Sequence, residues 1–326
     1  MEDDIEKLKK RYLNFAKYEA KGRCQAYFDL ARWVTESDIL LQFISNFHDN
    51  KRQPNLIFAA VRKVYGVPNS LHEFERIIHE NREAITQVVN TKITQTNEPA
   101  RCGALFLALS QMKQEKIALI EVGASAGLCM IPDYYQYSFD GTKIVPNSAS
   151  GQSPLITCGF DGPMPEINKN LNIVWRKGID LNPIDLSDKE SCDWLETLVW
   201  PGQTDRLHRL QTAIAEARQH RLEITGGNLL DHLEASISAA PKEADIVIYH
   251  SAVMNYMPPK EVKRFRALMN DLPVNWILQE HSLIFPDLLD PALEVPRGRF
   301  VLSYNNNILA HTHPHGEDIV WFAKGV

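Results

Sequence analysis

The chain has 326 residues, 44% of them hydrophobic and 23% charged, and a formal net charge of -6. These totals exclude a disordered or fibrous chain. They also disfavour a non-specific nucleic-acid binder, which needs a basic face to displace counterions from phosphates, so a small-molecule partner is expected, with no nucleic acid and no membrane.

Cys24, Cys102, Cys129, Cys158 and Cys192 are odd in number, widely spaced and never arranged as CxxC. That pattern argues against a disulfide framework or a zinc site. The charged start MEDDIEKLKK does not read as a signal peptide and no apolar run reaches membrane-spanning length, so a reducing cytoplasm is the expected location.

From Ile5 to Val89 the apolar residues recur at helical spacing: Leu8, Tyr12, Phe15 and Tyr18 form one stripe, and Ile39, Phe43, Ile44 and Phe47 another. Gly66, Pro68 and Asn69 break the pattern before Leu71–Asn90. The TNEP run at 96–99 breaks it again before the helix-like ARCGALFLALSQM. Residues 1–90 therefore read as a helical cap and 91–326 as an α/β domain. In the second part short apolar strands alternate with amphipathic helices, as in a parallel sheet covered on both faces. IALIEV at 117–122 is the first strand and Leu128–Tyr137 the helix expected after it. Residues 138–171, rich in Gly, Pro, Ser and Asn, read as an insertion with one short hairpin. Strands resume at NIVWR (172–176), LEITG (222–226), DIVIYH (245–250) and WILQEH (276–281). RFVLSYN (299–305) and DIVWFA (318–323), joined by a polar turn, read as antiparallel strands closing the sheet.

The most informative stretch is EVGASAGL, where a strand ends in Glu121 and turns through Gly123, Ser125 and Gly127. Small residues let the backbone approach a ligand, and a helix start offers free N–H groups. Counted from Gly123, the second and third glycine positions of a dinucleotide fingerprint hold Ser125 and Leu128, so NAD is disfavoured. An acid followed by GxGxG, with Ser125 for the middle glycine, fits the loop of enzymes that use S-adenosylmethionine (SAM). A tight turn with no ligand explains the same residues more plainly.

The chain resembles the bacterial domain-of-unknown-function family 2332 over nearly its whole length. Four segments carry the likeness: TQTNE at Thr94–Glu98, EVGASAGL at Glu121–Leu128, RxGxD at Arg176–Asp180 and VWPGQTDR at 199–206. That family is similar to methyltransferases in fold, which implies a Rossmann-like class I methyltransferase sheet with an N-terminal helical cap.

In such enzymes an acid at the end of the second strand accepts the ribose hydroxyls. Asp180 is the candidate, with Asp185 second; a loop aspartate in a local turn is the plainer alternative. Asn228 and Asp231 stand at the adenine-reading position after the third strand, although Asp231 also suits a helix N-cap. After the fourth strand His250 is placed as a general base and Tyr256 as a wall of the acceptor pocket, with Glu280 and His281 ending the fifth strand on the same edge. For His250 the alternative is a hydrogen-bonded strand-end histidine, and for Glu280 an ion pair. Asn97, Glu98 and Arg101 are expected to fold over the ligand, or else Asn97 caps a helix beginning near Pro99. Trp200 and Arg206 suit an aromatic and cationic pocket wall, or plain packing at a helix start. His311, His313 and His315 alternate as strand-borne metal ligands would, but lack neighbouring donors, so no metal is expected. The basic face of residues 206–221 is a solvated helix side. A SAM-dependent methyltransferase acting on a small molecule, with the cap helping to enclose the acceptor, is the leading expectation. A non-catalytic SAM- or nucleotide-binding protein of the same fold is the alternative.

Overall fold

The computed structural model describes residues 2–95, 97–113, 115–289, 293 and 295–322. Thr96 of the TQTNE segment and Ala323 of the expected last strand lie outside them. The chain divides into two compact units, Met1–Thr96 with Asp188–His208, and Asn97–Ser187 with Arg209–Val326. The helical unit thus takes in a second segment that the sequence had assigned to the α/β part.

The helical unit contains α1 (Glu2–Phe15), α2 (Gln25–Glu36), α3 (Asp38–Ser45), α4 (Pro54–Val64), α5 (Leu71–Glu80) and α6 (Arg82–Thr91). Serine caps start two of them: Ser37 accepts from Leu40 N and Ser70 from Glu73 N, and Pro54 opens α4 where its missing N–H costs nothing. Leu8, Tyr12 and Phe15 are buried as their spacing predicts, but Tyr18 is 65% exposed. A single π-turn at Ala16–Ala20 widens the helix there and rotates Ala20 inward in its place. Ile39 is likewise exposed, its inward position in α3 being taken by Leu40 and Leu41.

The second unit holds α7 (Cys102–Ser110), α10 (Leu229–Ala239), α11 (Pro259–Asp271) and an eleven-stranded sheet, with α8 (Lys189–Leu198) and α9 (Thr204–Ala217) lying in the sequence between α7 and α10. The strands are β1 (Ile117–Val122), β2 (Gln136–Phe139), β3 (Thr142–Ile144), β4 (Leu155–Asp161), β5 (Ile173–Asp180), β6 (Ile224–Gly226), β7 (Asp245–Ser251), β8 (Asn275–His281), β9 (Phe300–Tyr304), β10 (Asn307–Thr312) and β11 (Asp318–Trp321). Their spatial order is β3-β2-β4-β11-β10-β9-β8-β7-β1-β5-β6. Five of them, β6-β5-β1-β7-β8, are mutually parallel, and β8 to β11 form an antiparallel meander. From β1 the chain first builds β2, β3 and β4 at the far edge of the sheet, returns to lay β5 and β6 on one side of β1, then crosses to β7 on its other side. Such a reversal opens a crevice at the carboxyl ends of the two strands. Every residue of β1 is buried, which is why it reads as an unbroken apolar run. Both sheet edges, β3 and β6, are three residues long, a length that limits pairing with other chains.

Two expectations fail here. No α-helix follows β1: Leu128–Met130 and Pro132–Tyr134 are single 3-10 turns, and Gln136 already begins β2. Pro132 disfavours helical geometry at Ile131 and removes a backbone donor, which stops the helix before one turn closes. The closing hairpin also has a different partner. Asn305 and Asn306 adopt left-handed φ of 47° and 66°, making a two-residue turn from β9 into β10, and β11 then pairs with β10.

Candidate functional site

Three of the four motif segments converge on the loop between Glu121 and Leu128. Its five N–H groups are all taken. Gly123 N and Ala124 N donate to the Ile179 carbonyl (2.8 and 3.2 Å), and Gly127 N to the Ala124 carbonyl at 2.6 Å. Ser125 N donates to Asp180 Oδ2 at 2.8 Å, and Ala126 N to Asn97 Oδ1 at 3.0 Å. Asn97 Nδ2 also donates to Ser125 Oγ at 2.8 Å. Asn97 is therefore a clasp on the loop, and the residue that caps the turn at Pro99 is Glu98, which accepts from Ala100 N.

The glycines serve conformation and packing. Gly123, Ser125 and Gly127 have φ of 73°, 51° and 73°, a region where only glycine is at ease, so Ser125 sits where a glycine would be less strained. A Cβ on Gly123 would lie 2.2 Å from Val253 Cγ2, and one on Gly127 would meet Met130, Leu222 and Ile224. The space expected for a ligand beside Gly123 is filled by Val253. In RxGxD, Arg176 donates to the Met130 carbonyl (2.9 Å) and to Asp133 Oδ2 (2.6 Å), holding the turns after the loop. Gly178 admits Ala124, whose Cβ would be 2.8 Å from its own. Asp180 caps Ser125 and also accepts from Asn182 N at 2.7 Å.

The expected catalytic pair His250 and Glu280 and the expected cofactor residue Glu121 fall on opposite faces of the sheet. Glu121 lies beside Tyr249 and Gly178 in register, while His250 lies beside Val122 and Leu278, one residue out of phase. Successive strand residues point to opposite faces. Glu121 and Tyr249 thus share one face, and His250, Leu278 and Glu280 share the other with Phe265 and Trp276.

On that second face His250 is fully buried and both ring nitrogens are engaged. Trp276 Nε1 donates to Nε2 at 2.9 Å, and Nδ1 pairs with Glu280 Oε1 at 2.8 Å. An indole can only donate, so Nε2 accepts and the imidazole proton resides on Nδ1. No lone pair is left for a substrate in this arrangement. Glu280 Oε1 also accepts from Val253 N (2.9 Å) and Met254 N (3.2 Å), while its Oε2 is buried without a partner. The pair ties β7, β8 and the turn after β7 together. Tyr256, on that turn, is 76% exposed.

The first face is different. Glu121 is 6% exposed, its Oε2 has no partner, and neither of its oxygens receives a hydrogen bond among the described residues. Burial pushes its carboxyl well above the usual range; Cys129 and then Asp180 add to this, and Arg101 opposes it. Arg101, also 6% exposed, donates Nε to the Pro314 carbonyl (2.9 Å) and Nη1 to the Ser251 carbonyl (3.4 Å), with its guanidinium over the Phe300 ring. Sequence reasoning placed Glu121 beside a ligand for its position in the loop, but not for this lack of partners, which no local pattern encodes.

The other expected residues are in structural positions. Glu98 pairs with Arg209 at 3.1 Å. Asn228 caps α10, accepting from Leu230 N, and Asp231 is exposed in its first turn. In the helical unit Trp200 packs against Phe15 and Tyr27 and donates to Asn55, and Arg206 donates to Gln203. His311 Nδ1 accepts from Arg299, which also pairs with Asp318. Among the described residues no group of three or more His, Cys, Asp or Glu is arranged to hold a metal ion, the five cysteines are free thiols, and no helix is long and apolar enough to cross a membrane.

No curated protein and no solved structure matches the chain. A family model does match, over residues 9–321, and the segments it spans include the whole loop clamp: the chain belongs to the family described as "Uncharacterized protein conserved in bacteria (DUF2332)".

Proposed function

We propose that the second unit binds SAM at the carboxyl edge of β1 and β7 and passes its methyl group to a small-molecule acceptor. The observation that carries this reading is the strand order, in which the chain reverses at β1 and β7 with Glu121 and Asp180 at the ends of β1 and β5. As a fit test, the unpartnered Glu121 oxygen suits a ligand that brings donors, such as ribose hydroxyls or an ammonium group. The closed loop supplies no N–H, so side chains and carbonyls do the holding. SAM itself supplies an activated methyl group on a sulfonium. With His250 and Glu280 committed to each other, the chain's part in transfer is alignment of acceptor and sulfonium, not proton removal by that pair.

Binding without turnover is a second reading, favoured by the same engaged His250 and by the loop whose donors are all internal. Calorimetric titration with SAM, S-adenosylhomocysteine (SAH) and NAD tests both. The expected result is binding of the two adenosyl ligands, no binding of NAD, and SAH release on incubation with SAM and a metabolite extract. Binding without SAH release selects the second reading, and absence of adenosyl binding by folded protein overturns both.

A further inference from the structure

Glu121 and Arg101 are both nearly buried, and Arg101 Nη1 reaches the Ser251 carbonyl two residues beyond Tyr249, the β7 residue in register with Glu121, yet they are not an ion pair: no nitrogen of one comes within 4.0 Å of an oxygen of the other. Arg101 Nη2 has no acceptor among the described residues, and Glu121 has no donor. Their polar neighbours are spoken for: Tyr249 donates to Gln279 Oε1 at 2.9 Å, and Gln279 Nε2 to Thr312 Oγ1 at 3.0 Å. Keeping a buried carboxyl and a guanidinium apart forfeits their attraction and leaves Glu121 Oε2 buried without a donor.

A bridging group resolves this only if it carries both signs. A lone carboxylate serves Arg101 and leaves Glu121 without a cation to draw it into its ionised form, and a lone ammonium serves Glu121 and leaves Arg101 Nη2 without an acceptor. A zwitterion with a hydrogen bond of ~2.8 Å at each end needs the two side chains farther apart than an ion pair, as they are. We propose that Glu121 and Arg101 form a receptor for the amino-carboxylate head of an α-amino acid, the ammonium meeting Glu121 and the carboxylate meeting Arg101. The head comes either from a free amino acid or from the amino-acid arm of an adenosyl ligand, and the receptor does not depend on the adenosyl reading. Glu121 is held toward its protonated form by burial, Cys129 and Asp180, with Cys102 and Tyr249 also facing it and Arg101 opposing. An arriving ammonium reverses that bias, so binding releases up to one proton per ligand.

The test is calorimetry on the full chain, in two buffers of different ionisation heat, with the twenty free amino acids, SAM, SAH, adenosine, propylamine and propionate. Expected is binding of at least one amino-carboxylate compound with proton release, no binding of propylamine or propionate, and a loss of at least tenfold in Glu121→Gln and in Arg101→Lys. Free amino acids binding where adenosine does not upholds the receptor and removes support from the adenosyl reading. SAH binding at least tenfold tighter than adenosine, with no free amino acid bound, assigns the receptor to the adenosyl ligand's arm. Adenosine binding as tightly as SAH, with no free amino acid bound, overturns the receptor while sparing the adenosyl reading. Unchanged affinity in Glu121→Gln, or no zwitterion bound by parent protein that unfolds cooperatively, also overturns it. Because the ligand series is run on the parent, a variant that fails to fold does not remove the test.

Discussion

Two buried glutamates at the carboxyl ends of the parallel strands on either side of β7 differ in the donors they receive. Glu280 on β8 receives three donors on one oxygen, from His250, Val253 and Met254, whereas Glu121 on β1 receives none. Both are strand-end acids of the kind that marks a catalytic edge, and by residue type alone the His250–Glu280 pair is the more suggestive. Three bonds to Glu280 Oε1, from β7 and the turn after it, make the pair a structural joint even though Oε2 has no partner among the described residues. A buried carboxyl left without donors costs free energy, and that cost is what separates a binding position from a packing position.

The comparison breaks most visibly if the joint is removed. Glu280→Ala strands the His250 Nδ1–H and two backbone N–H groups in the interior, so unfolding free energy is expected to fall by about 3–5 kcal/mol, measured by urea denaturation. A loss below about 1 kcal/mol would mean the joint is not structural.

A smaller loss is expected at the loop clamp. Gly123→Ala meets Val253 at a left-handed φ, with about 1–2 kcal/mol from the backbone and about 1–3 kcal/mol from overpacking. Gly123→Ala combined with Val253→Ala should regain most of the packing part. If the double variant is no better than the single one, Val253 is not what the glycine accommodates.

The smallest effect has the opposite sign and depends on pH. Glu121's folded pKa is raised, so its contribution to stability is fully present below the unfolded value, about 4.3, and is lost as pH rises through the folded one. Glu121→Gln abolishes that loss and is expected to raise stability near pH 7.5 by about 1–3 kcal/mol, with the gain vanishing near pH 4. Thermal unfolding of parent and variant across that range checks it, and a variant less stable than the parent at pH 7.5 would place a hidden partner on Glu121. A gain in stability together with a loss of ligand binding is the combination expected of a site residue.

Much of the frame is legible along the chain because it depends on local order. IALIEV is buried on every residue and reads as a central strand; the Asp140–Gly141 pair, with φ of 45° and 83°, turns the expected hairpin of the insertion; Leu8, Tyr12 and Phe15 keep their helical stripe. Other features were present but outweighed. The Asn305–Asn306 turn followed by ILAHT signals β10, yet HTHPH drew attention to metal chemistry, and Pro132 signals the end of any helix after the glycine loop.

The sequence by itself determined that a strand-rich α/β unit follows a helical one, and that an acid, two glycines and a small-residue loop sit at the end of the first strand. Burial periodicity and turn chemistry act over a few residues, so a linear reading captures them. Only the tertiary structure decided which side chains are spent on each other. The partners of the loop come from Asn97, Ile179 and Asp180, those of His250 from 26 and 30 residues away, and the want of a partner on Glu121 appears only once every neighbour is in place. Hydrogen-bond satisfaction is a property of the assembled neighbourhood: it is set by the register and faces of separate strands, and no spacing of residue types along the chain fixes it.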